Sequence, residues 1–182
     1  MAVIEAISTT YLEADAASVT FSSIPSSYEH LQVRATIRST DSGAGGYSGN
    51  VKCRLNGQTG TIYTTRTMQG GDFNYAGSVS ASSWAGGSDD YMNIAYGPTS
   101  LQDAATYGNM IIDIYDYANT NKNTTLLTLS GYGAGDSDGE GMSVNLIATL
   151  ADYTSAIDTI LLFGHNNFVR GSEFTLYGLN SS

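Results

Sequence analysis

Residues 31–38 restrict the fold of this chain more than any other segment. The residues alternate between Leu31, Val33, Ala35 and Ile37 on one side and Gln32, Arg34, Thr36 and Arg38 on the other. Because successive side chains of a β-strand point to opposite faces, this period of two predicts a strand with one buried and one solvated face. Such a strand is typical of an antiparallel sheet, whereas a helix needs apolar spacings of three and four.

Further segments have strand composition and are separated by polar turns. We predict strands at residues 17–24, 50–55, 61–68, 77–83, 91–96, 107–117, 124–132, 143–150, 157–163 and 173–179. The 157–163 segment is almost continuously apolar, which predicts a central strand covered on both faces, with a loop at 164–170. Many short strands at this spacing, with no helix pattern, predict an all-β antiparallel β-sandwich, with a jelly roll as the expected form.

Two local patterns predict connections. Asn56-Gly57 tolerates positive φ at both positions, so it predicts a hairpin that pairs strand 50–55 with strand 61–68. Residues 2–8 resemble a short strand or an extended arm, and we treat residues 1–10 as a candidate N-terminal arm of one domain spanning 1–182.

The charge balance argues against several partners. The chain carries 17 Asp and Glu against 7 Lys and Arg, for a net charge of −10. Such a surface repels phosphate, which disfavours DNA, RNA and an anionic membrane. The N-terminus lacks the pattern of a signal peptide and no apolar run has membrane-spanning length, so we expect a soluble protein made in a cytoplasm. The single cysteine, Cys53, is expected to be a small core residue.

Candidate chemistry is sparse. The histidines His30 and His165 lack a neighbouring nucleophile elbow, so we expect turn residues that bond the local backbone, and no enzyme. The acidic loop residues Asp136, Asp138 and Glu140 supply the oxygen ligands that Ca²⁺ binds. A solvated acidic loop explains the same residues and is the favoured interpretation, so we expect no cofactor.

The aromatic residues leave two interpretations open. The chain contains 13 tyrosines and one tryptophan. Trp84, Tyr91 and Tyr96 lie in or beside a glycine-rich region, where exposed rings suit a protein interface or a sugar platform. Cross-strand pairing on a sheet is the structural alternative for any one of these rings.

Four motifs together resemble structural proteins of tailed bacteriophages. The chain contains F-x-x-I-P-x-x-Y-x-H-L-x-[VIL]-R within residues 21–34, RLNG at 54–57, IYDYANTNK at 114–122 and S-x-F-T-L-Y-G at 172–178. The matching residues of the first, second and last motifs are Phe21, Ile24, Pro25, Tyr28, His30, Leu31, Val33, Arg34, Arg54, Leu55, Asn56, Gly57, Ser172, Phe174, Thr175, Leu176, Tyr177 and Gly178. The resemblance implies a virion protein and supplies no catalytic residue.

Three hypotheses follow from this resemblance. The first is a capsid decoration (cement) protein on the outer shell, which binds the major capsid protein, is expected to be a homotrimer, and uses Ala2, Val3 and Ile4 to add a strand to a neighbour's sheet. The second is a tail-fibre domain that recognises host glycans through the aromatic residues near Trp84. The third is a glycan-degrading enzyme on the same scaffold. We favour them in that order. The fold alone does not decide between them, because one fold can serve many functions.

Overall fold

The computed structural model describes residues 3–42, 49–72, 89–133 and 142–181. Within these residues it has eleven strands and confirms the all-β prediction. In chain order the strands are β1 (Ile4–Tyr11), β2 (Ala16–Phe21), β3 (His30–Ile37), β4 (Gly49–Leu55), β5 (Tyr63–Asp72), β6 (Met92–Gly97), β7 (Gly108–Tyr115), β8 (Thr124–Tyr132), β9 (Met142–Ala151), β10 (Ile160–Phe168) and β11 (Glu173–Leu179).

The strands form two antiparallel sheets that pack as a sandwich. The large sheet has the order β1-β11-β3-β7-β8-β9-β5, and the small sheet has the order β2-β10-β4-β6. Every hydrogen-bonded neighbour runs antiparallel. The β-sandwich is therefore confirmed, whereas its assignment as a jelly roll stays a prediction.

Strand β3 has the predicted orientation. Its four apolar side chains are buried, and Leu31 and Val33 are fully inaccessible. Arg38, which follows β3, was predicted to be solvated but is buried. Its guanidinium donates hydrogen bonds to the carbonyl oxygens of Gln102 (2.7 Å), Thr106 (3.1 Å) and Asp103. These carbonyls replace water around the charge and fasten the loop that precedes β7.

The core lies between the two sheets. Phe168 at the end of β10 packs against Phe174 of β11, with ring centroids 5.0 Å apart. Cys53 is buried on β4, as predicted, and burial raises the pKa of its thiol. Strand β10 is central in the small sheet, but only one of its faces is fully buried, and it continues through most of the predicted 164–170 loop.

The predicted hairpin at Asn56-Gly57 is partly wrong. Both residues have positive φ, 49° and 66°, so the turn is confirmed. However, β4 pairs with β10 and β6, and β5 pairs with β9 in the other sheet. The Asn56 side chain explains the difference, because its Oδ1 accepts hydrogen bonds from the amides of Asp158 and Thr159, which precede β10. These hydrogen bonds hold the turn next to the start of β10. The chain after the turn then crosses to the large sheet, where it forms β5.

The N-terminal segment pairs within its own chain. Strand β1 forms the edge of the large sheet against β11, with Ile4 opposite Leu179. Val3 and Ile4 are exposed there. Addition of this segment to a neighbour's sheet stays a prediction, and the predicted strand at 77–83 lies outside the described residues.

A glycine near the end of β11 tests how the sandwich closes. A Cβ added at Gly178 would lie 2.3 Å from Cγ of Tyr28, whereas one added at Gly70 in β5 meets nothing within 4 Å. We expect Gly178→Ala to lower the free energy of unfolding by about 1–3 kcal/mol, because the ring and backbone must shift. Gly70→Ala is the matched control and should change it by less than about 1 kcal/mol. Urea denaturation measures both, and equal losses would contradict the packing of Tyr28 on Gly178.

Candidate functional site

Residues of the first, third and last motifs meet at one end of the sandwich. The Tyr28 ring packs on Gly178, which joins the first motif to the last. The Tyr117 hydroxyl donates a hydrogen bond to the carbonyl of Pro25 and accepts one from the Tyr28 amide at 3.4 Å. The third motif is thus bonded to the first. These residues close the end of the sandwich. Their packing and hydrogen bonds therefore give them a structural role that requires no ligand or partner.

The histidines were expected to bond the backbone. Nδ1 of His30, the first residue of β3, accepts a hydrogen bond from the Asp116 amide at 3.1 Å, so His30 bonds the backbone of the β7–β8 connection and not that of its own turn. The Asp116 carboxylate pairs with Lys122, whose hydrogen bond lowers the pKa of Asp116. His165 is exposed on β10.

The proposed calcium ligands cannot be placed. Asp136, Asp138 and Glu140 lie outside the described residues. Across residues 3–42, 49–72, 89–133 and 142–181, no group of three or more His, Cys, Asp or Glu side chains is arranged to hold a metal ion. The same ranges include no helix with the length and apolarity needed to cross a membrane.

The predicted interface residues separate in space. Ala2 and Trp84 lie outside the described residues. Val3 and Ile4 lie on the large sheet's edge, whereas Tyr91 precedes β6 of the small sheet and Tyr96 lies within it. Tyr96 is half-buried, and burial raises its pKa. The structure therefore does not join these residues into one surface.

Tyr91 belongs instead to a cluster of cations and rings on the small sheet. Its ring lies edge-on to Phe163 of β10, with centroids 6.1 Å apart. Nζ of Lys52 lies 4.2 Å from the centre of the Tyr91 ring, and the guanidinium of Arg54 lies 5.0 Å from that of Phe163. Arg54 also pairs with Asp90 at 2.5 Å. We call Lys52, Arg54, Tyr91 and Phe163 the cation–aromatic cluster.

The alternation of β4 could have identified half of this cluster. Val51, Cys53 and Leu55 are buried, so Lys52 and Arg54 must point away from the core. The proximity of Phe163 depends on the pairing of β4 with β10, which the sequence does not reveal.

The largest unexpected feature covers the solvent side of the large sheet. On strands β5, β7, β8 and β9, apolar side chains that alternate with buried residues point outward, and several are half exposed or more. We call them the outer apolar patch: Met68, Ile111, Leu127, Leu129, Val144, Leu146 and Leu150. At the usual strand spacing, four strands with four outward positions each cover ~500 Å². The patch residues occupy seven of these sixteen positions, and the largest exposed apolar patch of a monomer, a few hundred Å², is often an interaction site.

Strand register aligns the patch in rows. Ile111 lies opposite Leu129, Leu129 opposite Leu146, and Leu146 opposite Met68. Directly opposed residues of antiparallel strands share a face and lie about 5 Å apart, so the four side chains form one continuous apolar row.

The inner face beneath the patch is unusually polar. The buried polar residues of β5, β8 and β9 are Thr65, Thr67, Thr124, Thr128, Ser130, Ser143, Asn145 and Thr149. Within the described part of the chain, Oγ1 of Thr128, Oδ1 of Asn145 and Oγ1 of Thr149 have no hydrogen-bond partner. Each such group costs about 1–3 kcal/mol. These strands therefore have the reverse of the usual arrangement, in which apolar side chains point inward and polar ones outward.

The charge of the large sheet's outer face differs from that of the whole chain. Among the side chains that the structure describes, register places Arg34, Arg66, Asp113 and Glu173 on this face. The chain as a whole carries −10. The described part of the outer face is therefore sparsely charged as well as apolar, which lowers the desolvation cost of covering it.

Comparison with known proteins adds no relative. Neither the protein-family models nor the curated proteins contain a match to this chain.

Neighbouring residues of β9 test which face is buried. Leu146 is 42% exposed, whereas Ile147 is fully buried. We expect Ile147→Ala to lower the free energy of unfolding by about 2–5 kcal/mol, because it leaves a cavity. Leu146→Ala should cost less than about 1 kcal/mol. Chemical denaturation at low protein concentration compares the two, and a larger loss for Leu146→Ala would show that β9 faces the other way.

Proposed function

We propose that this chain is a structural protein of a phage virion, and that it decorates the outer capsid surface. The observation that carries the proposal is the outer apolar patch, because a sheet face that combines many outward apolar side chains with few charges suits permanent contact with protein. The motif resemblance supplies the virion class. The major capsid protein is the proposed shell partner.

Adhesion gives such a protein its mechanism. Each bound copy adds contact area across the joint between shell subunits, and many copies repeat the gain over the particle. Covering the outer apolar patch removes its leucine, isoleucine and methionine side chains from water, which contributes roughly 25 cal/mol for each Å² of apolar surface. The contact opposes separation of the shell subunits under the pressure of packaged DNA.

The number of copies on a particle tests this proposal. Purified virus particles should contain the chain at a ratio to the major shell protein near one or near a simple fraction of it, as measured by quantitative mass spectrometry. A handful of copies per particle would place the chain in the tail and contradict the decoration role. Complete absence from particles would contradict the virion proposal.

Surface variants connect this role to the patch. We expect the double variant Leu129→Lys, Leu146→Lys to bind undecorated shells at least tenfold more weakly in co-sedimentation, because it places two charges in the apolar row. Leu101→Lys is the matched control, since Leu101 is 48% exposed outside the strands. Unchanged binding of the double variant would remove the patch from the shell contact.

The cation–aromatic cluster favours a second candidate function. The Tyr91 ring with its hydroxyl, next to Phe163 and the cations Lys52 and Arg54, suits an acidic host glycan, as expected of a tail-fibre domain. For that function Tyr91→Ala should abolish binding to host surface polysaccharide in calorimetry. Tyr11→Ala is the control, because Tyr11 is exposed on the distant edge strand β1. Absence of polysaccharide binding by the unmodified protein would exclude this candidate.

A further inference from the structure

We propose that the partner covering the outer apolar patch is a second copy of this chain, packed face to face about a two-fold axis parallel to β8 and β9. The inference rests on the proposed function and refines it: the outer apolar patch joins two copies of the chain, and the pair binds the shell through its other surfaces. Three properties of the patch support it: the alignment of its side chains in rows, the protruding and recessed positions of its surface, and the charges at its two sides.

Symmetry selects a pair. When one surface patch contacts the identical patch of another copy, the contact is closed by a two-fold axis. A cyclic trimer instead needs two different, complementary surfaces on each copy. The outer apolar patch is one continuous surface, so its self-association predicts a dimer in place of the trimer expected from the sequence.

The rows match themselves under this symmetry. The two-fold axis lies between the two copies, runs parallel to the strands and passes over the line between β8 and β9. It therefore places β8 of one copy over β9 of the other, and β7 of one copy over β5 of the other. Leu129 of one copy then faces Leu146 of the other, and Ile111 faces Met68. The alignment holds near the axis, since stacked twisted sheets diverge by about 30°.

The relief of the patch is also complementary. Val144 is the most exposed of the patch side chains, at 61%. Opposite it in register is Gly131, which has no side chain and lies in a shallow depression of about 290 Å³ bordered by Ile111 and Leu129. The same axis places Val144 of each copy above the Gly131 depression of the other.

The flanking charges complete the match. Arg66 and Asp113 end the row that contains Ala148 and Leu127, on opposite sides of the patch. Within the described part of a single chain, neither forms an ion pair. The two-fold axis brings Arg66 of one copy over Asp113 of the other, twice per dimer.

The size of the patch sets the strength expected. The four strands that carry the patch offer a footprint of ~500 Å² per copy, which is below the roughly 800 Å² of accessible surface per partner in a standard interface. Side-chain relief and flanking polar residues add to the accessible area. We therefore expect a reversible dimer that dissociates on dilution and forms readily where copies are concentrated, as on a particle.

Sedimentation velocity of the full chain tests the dimer. We expect the weight-average mass to rise from one to two chains between about 1 µM and about 500 µM, the range set by a small interface. Arg66→Glu should weaken association about tenfold, because a carboxylate then faces Asp113, and Asp113→Arg should do the same. The double exchange should restore association to within about threefold of the unmodified chain.

Controls separate the possible outcomes. Arg170→Glu changes the net charge equally at a loop outside the large sheet and should leave the dimer unchanged. Far-UV circular dichroism checks that each variant is folded. A monomer at every concentration, a mass of three chains, or a double exchange that fails to restore association would each overturn the proposal. A monomer that still decorates shells overturns only the dimer, whereas a dimer absent from particles overturns only the proposed function.

Discussion

Strand register is the constraint on which the surface of this molecule depends. In a sheet, a shift of one residue moves every side chain to the opposite face. Such a shift in β8 would bury Leu127 and Leu129 and expose Thr128 and Ser130. The connection between β7 and β8 opposes it: Asp116 has a φ of 49°, and its carbonyl accepts a hydrogen bond from the Asn119 amide. Tyr117, also in this connection, is bonded to Pro25. The turn is held on both sides, so β8 starts in one register.

The pairing of β9 with β8 determines which face of β9 points outward. Leu129 lies opposite Leu146, and the polar residues Thr128 and Ser130 lie opposite Ile147 and Asn145. Strand β6 of the small sheet packs over this inner face. The molecule thus retains unpartnered polar atoms inside and an apolar surface outside. This arrangement is unfavourable for an isolated sandwich and becomes less so when the outer face is covered.

The sequence was most informative where local pattern and tertiary role agree. In β3 the alternation gave the strand, its ends to within a residue or two and its buried face, because the apolar side really faces the core. In β9 an equally regular alternation gave the strand but could not show that its aliphatic side faces outward. Periodicity distinguishes two faces; which of them is buried depends on the partners. The same limit explains Asn56-Gly57, where the turn was evident but the strand paired with β4 was not.

The two candidate surfaces lie on opposite sides of the sandwich, since the outer apolar patch belongs to the large sheet and the cation–aromatic cluster to the small one. A force that separates partners bound to these two sides acts perpendicular to both sheets. It loads the side-chain packing between the sheets, including the Phe168–Phe174 contact, and leaves the hydrogen bonds between strands largely unloaded. A force along the strands would load those hydrogen bonds in shear. The mechanical weak direction of the domain is therefore the direction that joins its two surfaces.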